Sequence, residues 1–293
     1  MKISKLKKLA ATTGLAFGLL AAGSASAIVV QGINFGNTGF HIETATVAET
    51  VVNATGDNLQ GYGVVNNVNG SAAYCAGDPL CRLFFTFTGY TVLNISPATA
   101  NFSGGTVNFY YDPGTGGLNT GFNRNFFNFS SPTNVAYIQS LAQFVQLQGH
   151  DNSVNVGDCA TAGATLCANG TVTGQSLSFT GQGLLDVVLG AFGSAAIQNF
   201  WNANNIVTAG SANGNFADIA LGTEGNTQVR NPNDICRVNL ATGALTTGDW
   251  CIQGTASIRG TTVVPEPETL GLLGIGLLGL VAGLRRRKTK VVA

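Results

Sequence analysis

The chain has 293 residues, 45% of them hydrophobic and only 10% charged, with 40 glycines, whereas an average soluble domain carries about 25% charged residues and about half that glycine share. Its formal net charge of zero hides a sorted distribution: between Ile28 and Val264 five arginines face twelve carboxylates, a net of −7, and all six lysines sit in the first eight or last six residues. A lysine-free, acidic body excludes nucleic acid as the natural partner, because that affinity rests on cations that displace phosphate counterions, and the composition points away from a cytosolic housekeeping enzyme.

Residues 1–27 read as a secretory signal peptide. A basic start (Lys2, Lys5, Lys7, Lys8) leads into an apolar stretch from Leu9 to Ala22, and Ala25-Ser26-Ala27 gives a small-x-small cleavage pattern. The first 27 residues are therefore a signal helix, and residues 28–263 form the exported domain.

Within that domain short β-favouring runs alternate with Gly, Asn, Ser and Thr breaks. The expected strands, in order, are Glu49–Val52, Arg82–Ile95, Thr106–Tyr111, Asn125–Phe129, Ala142–Leu147, Gly170–Gly181, Leu184–Leu189, Ala217–Leu221 and Ala256–Val263. The 28 asparagines all lie here and, with glycine, supply turn conformations. This spacing predicts an antiparallel β-sandwich with long Gly/Asn-rich loops. One stretch is ambiguous, because Leu185, Val188, Leu189, Phe192, Ala196 and Phe200 also fit a helical period. Strand-then-loop is the reading, with a short helix near Ser194–Asn202 as the alternative.

Export changes how the cysteines are read. Six in an oxidising compartment tend to pair, and they fall as Cys75/Cys81, Cys159/Cys167 and Cys236/Cys251, three close pairs whose intervening turn residues can bring their ends together. Three local disulfides are expected.

The domain shows little that resembles chemistry. His41 and His150 sit in no recognisable catalytic setting, and no G-x-S-x-G elbow occurs. His150-Asp151 could serve as half of a triad but reads better as a polar turn after a strand. No cofactor or metal is expected. Calcium is the alternative, with Asp112 and Asn119 in Tyr110–Gly121 as its donors, although a plain Asp-Pro-Gly turn explains the same residues and EF-hand periodicity is absent. Tyr62, Tyr110, Tyr111, Trp201 and Trp250 could stack on sugar rings if exposed, though half or more are expected in the packing.

The last segment, residues 264–293, is organised differently. Pro265-Glu266-Pro267 precedes an apolar, Gly-rich helix over 269–284, and Arg285, Arg286, Arg287 and Lys288 follow it. The fifteen uncharged residues from Leu270 to Leu284 would cover only ~22 Å of a ~30 Å hydrocarbon core, a marginal transmembrane anchor. The basic cluster would stay cytoplasmic and leave the body on the far side of the membrane, in agreement with the signal peptide.

These parts, in this order, resemble the PEP-CTERM sorting signal of exported bacterial proteins. The resemblance implies that Pro265, Glu266 and Pro267 form the motif recognised by an exosortase, an integral membrane enzyme, and that the helix and basic tail hold the protein in the membrane until it acts. Two prolines suit that role, since they keep the segment extended. The stretch from Ser178 to Ile206, followed by Phe216–Glu224, also resembles, loosely, exported PEP-CTERM proteins associated with flocculation. Together these imply a non-enzymatic protein of the bacterial cell surface or extracellular matrix, linked to exopolysaccharide, biofilm or floc. The alternative is a secreted glycan- or calcium-binding adhesion module, and a secreted hydrolase comes third.

Overall fold

The computed structural model describes residues 28–36, 39–77, 80–114, 130–151, 161–173, 176–190, 192–207, 216–226, 237, 242 and 245–261. The signal peptide, the 125–129 strand, Asn119, Cys159, Cys236 and the whole 264–293 segment lie outside the described residues.

The fold is mainly β and antiparallel. A short hairpin of β1 (Val29–Val30) and β2 (Ile33–Asn34) comes first. Its turn residues Gln31 and Gly32 have φ of 48° and 80°, the double left-handed geometry of a type I′ turn. Then follow β3 (Phe40–Glu49), β4 (Asn58–Val68), β5 (Arg82–Ile95) and β6 (Thr99–Asp112). Helix α1 (Ser131–Gln139) leads to β7 (Ala142–Gly149), β8 (Leu166–Thr173) and β9 (Ser176–Val187), and α2 (Ala195–Trp201) to β10 (Ile219–Asn226) and β11 (Ile252–Gly260).

Alternation decides which residues face inward. On β5 and β6 the cross-strand pairs Phe85↔Phe109 and Phe87↔Val107 belong to the main core, whereas the adjacent pair Phe84↔Tyr110 points the other way. That outer face is covered by α1, whose Ile138 packs with Tyr62, Phe84 and Tyr110. Ser131 Oγ lies 3.0 Å from the Tyr62 hydroxyl, and Asn134 Nδ2 donates to that hydroxyl at 3.0 Å.

The strands form one closed ring. Pairing runs β11–β3–β4–β5–β6, and on the other side β11–β10–β9. Between β6 and β9 the circuit is completed by two strands set end to end: β8 bridges the Thr99–Phe102 end of β6, and β7 bridges the Thr106–Tyr111 end. The result is a barrel with eight staves, one of them split. This corrects the expected sandwich. Alternating strands suit either architecture, and what decides is whether the sheet closes, which here it does because β9 pairs with β10 along Ser178–Leu185. Register shifts in β3 around Thr44, in β4 between Leu59 and Gly61 and in β11 between Gly254 and Ser257 supply the local bends and twist that closure needs.

One end of the barrel is filled by aromatic rings. Trp201, at the end of α2, is fully buried and stacks on Phe40 at 4.3 Å between centroids and 14° between planes. Phe35, Phe109 and Phe144 meet its edges at 5.7, 5.6 and 6.2 Å. The Cys75–Cys81 disulfide sits beside this end, where Cys75 bridges Ile33 of the small hairpin. Asn69 fastens the same corner: its φ is 51°, its side-chain amide donates to the carbonyls of Phe35 and Gly39, and its Oδ1 accepts from the His41 N–H.

Candidate ligand cavity

The other end of the barrel is hollow. Inward positions that would need large side chains to fill it carry Ala100, Ala168, Gly170 and Ala256 instead, and the space left is a cavity of about 460 Å³. Barrels of eight strands stand at the size where the interior either fills with side chains or holds one small ligand. This barrel does both, aromatic rings filling the Phe40 end and the cavity occupying the Glu49 end of β3. The volume lies within the ~300–1,000 Å³ of small-molecule sites and well above the ~150 Å³ that holds one benzene ring.

The wall is largely apolar, with Phe87, Phe102, Phe179, Leu185, Leu221 and Ile258 among its side chains. The cavity reaches the surface at the β5–β6 turn, where Ser96, Pro97 and Ala98 line it and are exposed.

Two buried polar groups interrupt that wall. Glu49 ends β3, pairs with Gly61 of β4 and Ile252 of β11, and is 3% exposed. Burial alone pushes its carboxyl from 4.5 up to about 8, so the group is protonated at neutral pH. Tyr90, on β5, lies with its ring over Gly105 and its hydroxyl buried without a hydrogen-bond partner, and burial pushes the phenol upward as well. Tyr74 shows what the fold does with an ordinary buried tyrosine: its hydroxyl donates to the Val65 carbonyl at 3.0 Å and accepts from the Leu83 N–H at 3.1 Å.

The sequence missed both groups. Glu49 was expected to open a strand through Val52 rather than close one, yet a single acid among apolar neighbours in "TVAETVV" is the kind of signal that marks a carboxyl facing an interior. Tyr90 carries no such mark, because its orphaned hydroxyl is a property of the packing.

The residues singled out from the sequence lie elsewhere. His150 is buried, not part of an open turn, and its Nδ1 meets Asp186 Oδ2 at 2.8 Å, while Asp151 is exposed. Among the described residues Nε2 of His150 has no partner, and that is the atom at which a catalytic relay would hold its nucleophile. Asp218, next to this pair, accepts from the backbone N–H groups of Val187 and Asn204 at 2.9 and 2.7 Å, so the cluster ties β9 to the segment after α2. Burial, reinforced by the Asp186 charge, raises the Asp218 carboxyl despite those bonds. Asp112 accepts from the Gly114 N–H at 2.9 Å, closing its own turn. Among the described residues no group of three or more His, Cys, Asp or Glu side chains could hold a metal. Of the aromatic candidates Tyr62, Tyr110 and Trp201 are buried, and Tyr111 and Trp250 are half-buried. Cys75–Cys81 pairs as expected; Cys167 and Cys251 are also disulfide-bonded, their partners falling outside the described residues.

A family model for the PEP-CTERM protein-sorting motif matches residues 263–288. The chain ends in a PEP-CTERM sorting signal. The match covers Pro265-Glu266-Pro267, the apolar run and the basic cluster through Lys288, and it marks an exported bacterial protein and an exosortase substrate. Comparison with curated proteins and with solved structures gives no match. No helix among the described residues is long and apolar enough to cross a membrane, and the 269–284 segment lies outside them. The PEP-CTERM signal thus accounts for the last tenth of the chain, and the barrel must be interpreted from its own geometry.

Proposed function

We propose that this PEP-CTERM protein is an exported binding barrel that holds an apolar small molecule, without turning it over, at the cell surface or in the extracellular matrix of its bacterium. The observation that carries the reading is the 460 Å³ cavity, walled by apolar side chains and open at the β5–β6 turn. An interior of this size left unfilled by Ala and Gly forfeits packing that larger side chains would supply. Burying an apolar ligand restores it. Exopolysaccharide, biofilm or floc is the setting we propose, and its support is the sorting signal.

Protein purified from its own host is expected to bind the neutral fluorophore N-phenylnaphthylamine saturably, one molecule per chain. The double variant Ala168→Trp, Ala256→Trp should fold with an unchanged circular dichroism spectrum and lose that binding. Absent or non-saturable binding by the parent protein would refute the reading.

Sorting has its own readout. Intact mass of the native protein should show a chain beginning near Ile28 and ending near Val264–Pro267, and a host without its exosortase should retain the tail in the membrane. An uncut tail in both hosts would leave a simple anchored protein.

A further inference from the structure

An apolar cavity does not by itself explain a buried carboxyl and a buried phenol in its wall, and the inference drawn from them rests on the binding reading above. The other polar groups of the wall are engaged by the protein. Thr44 Oγ1 accepts from the Ala256 N–H at 2.8 Å, and Thr223 Oγ1 donates to the Thr255 carbonyl at 3.1 Å. At the rim Ser96 and Thr99 bond to each other at 2.9 Å, and Asn53 donates to the Leu245 carbonyl at 2.6 Å. Glu49 and Tyr90 stand apart: no influence but burial acts on the Glu49 carboxyl, and the Tyr90 hydroxyl has no partner. They lie on the two strands flanking β4, opposite Gly61 and Leu59 respectively, and both side chains line the cavity. A buried donor left unpaired is penalised more than an ordinary hydrogen bond is rewarded.

We infer that the ligand is an uncharged, oxygenated lipid, such as a long-chain ketone or alcohol, whose oxygen takes a hydrogen bond from Glu49 while its chain fills the apolar wall. With its carboxyl protonated, Glu49 is an O–H donor like Tyr90. A carboxylate ligand would place a second acid in the same desolvated space. An ammonium would have to leave water and force Glu49 to ionise with it, and the desolvation of two charges is seldom repaid. Glu49 and Tyr90 are the titratable residues of the wall. Near the rim Asp57 is held below its usual range by the Asn53 and Ala54 N–H groups and the Thr247 hydroxyl, and Asp249 by Arg237, so neither ionises in step with Glu49.

The test displaces N-phenylnaphthylamine from host-purified protein with a matched series: dodecane, dodecanol, methyl decyl ketone, dodecanoate and dodecylammonium. The alcohol and ketone should displace it about tenfold more tightly than the alkane or either ion. Glu49→Gln, still a donor, should keep that preference. Glu49→Leu combined with Tyr90→Phe should shrink it below about threefold while the fluorophore still binds. Ketone affinity should fall as pH rises past about 8 in the parent protein and stay level in Glu49→Gln. If the fluorophore binds but alkane and ketone displace it equally, or if the double variant keeps the preference, the inference is wrong and the apolar site stands. If dodecylammonium or dodecanoate binds best, the ligand is charged and the inference is overturned. If the fluorophore does not bind, the underlying reading fails first.

Discussion

Glu49→Gln stabilises the fold strongly near pH 8 and barely at all near about pH 4. In the native state burial raises the Glu49 carboxyl from 4.5 to about 8, whereas in the unfolded chain it returns to the ordinary range. Between those values the folded protein holds a proton that the unfolded chain has released, so the folded state loses stability as pH rises through the window and levels off above its upper edge. At 1.36 kcal/mol per pKa unit the full loss is on the order of 4–5 kcal/mol. The amide is neutral throughout and escapes it. Asp218, also raised by burial, acts in the same direction, while Asp57 and Asp249, held low by their hydrogen bonds, act oppositely and lose stability as pH falls. All three are present in both proteins, so they cancel in the difference. Urea midpoints of parent and variant measured from about pH 4 to about pH 9 should diverge steadily across the window. A difference that stays flat would mean that the Glu49 carboxyl sees water in the native state.

How much of this was legible in the sequence depended on whether the deciding interaction was local. Arg82–Ile95 was read with its true ends, because its phenylalanines and threonines alternate in a pattern that only a strand satisfies. Its neighbour β4 went unread. "NLQGYGVVNNV" is rich in residues that disfavour strands, and Gly61 has a tertiary reason: the Phe87 ring lies where its Cβ would be. The first half of β6, "TANFSGG", is likewise a strand because β5 and β8 pair with it. Helix α1 was missed although Ser130, Ser131 and Pro132 mark a helix start. The ambiguous stretch resolved into both of its readings, a strand ending at Val187 and a helix at Ala195–Trp201. Closure of the barrel left no local trace, since it depends on β9 meeting β10 across the segment that carries α2. The sorting signal was fully legible for the opposite reason: it is read as a linear motif, and no packing is needed to assemble it.

Trp201→Ala should cost about 3–5 kcal/mol, the range for removing a large buried aromatic. The side chain is fully buried in a five-ring cluster with Phe35, Phe40, Phe109 and Phe144, so its loss strips contacts from rings on β3, β6 and β7 at once. Neighbouring aromatics cannot collapse into the gap without tearing their own contacts, which keeps the cost near the upper end. Trp201→Phe separates the ring from the indole. It keeps an aromatic face on Phe40 and removes an N–H that has no acceptor, so it should cost less than half as much. The plug also bears on function, because it seals the end of the barrel opposite the β5–β6 turn and leaves that turn as the way in. Equilibrium unfolding of the two variants, read beside fluorophore binding, tests both claims. A penalty below about 1 kcal/mol for the alanine variant would show that α2 does not pack into the barrel. A large penalty with binding retained would show that the stabilising half of the interior and the ligand-holding half are separable, as the division between aromatic plug and small-residue cavity requires.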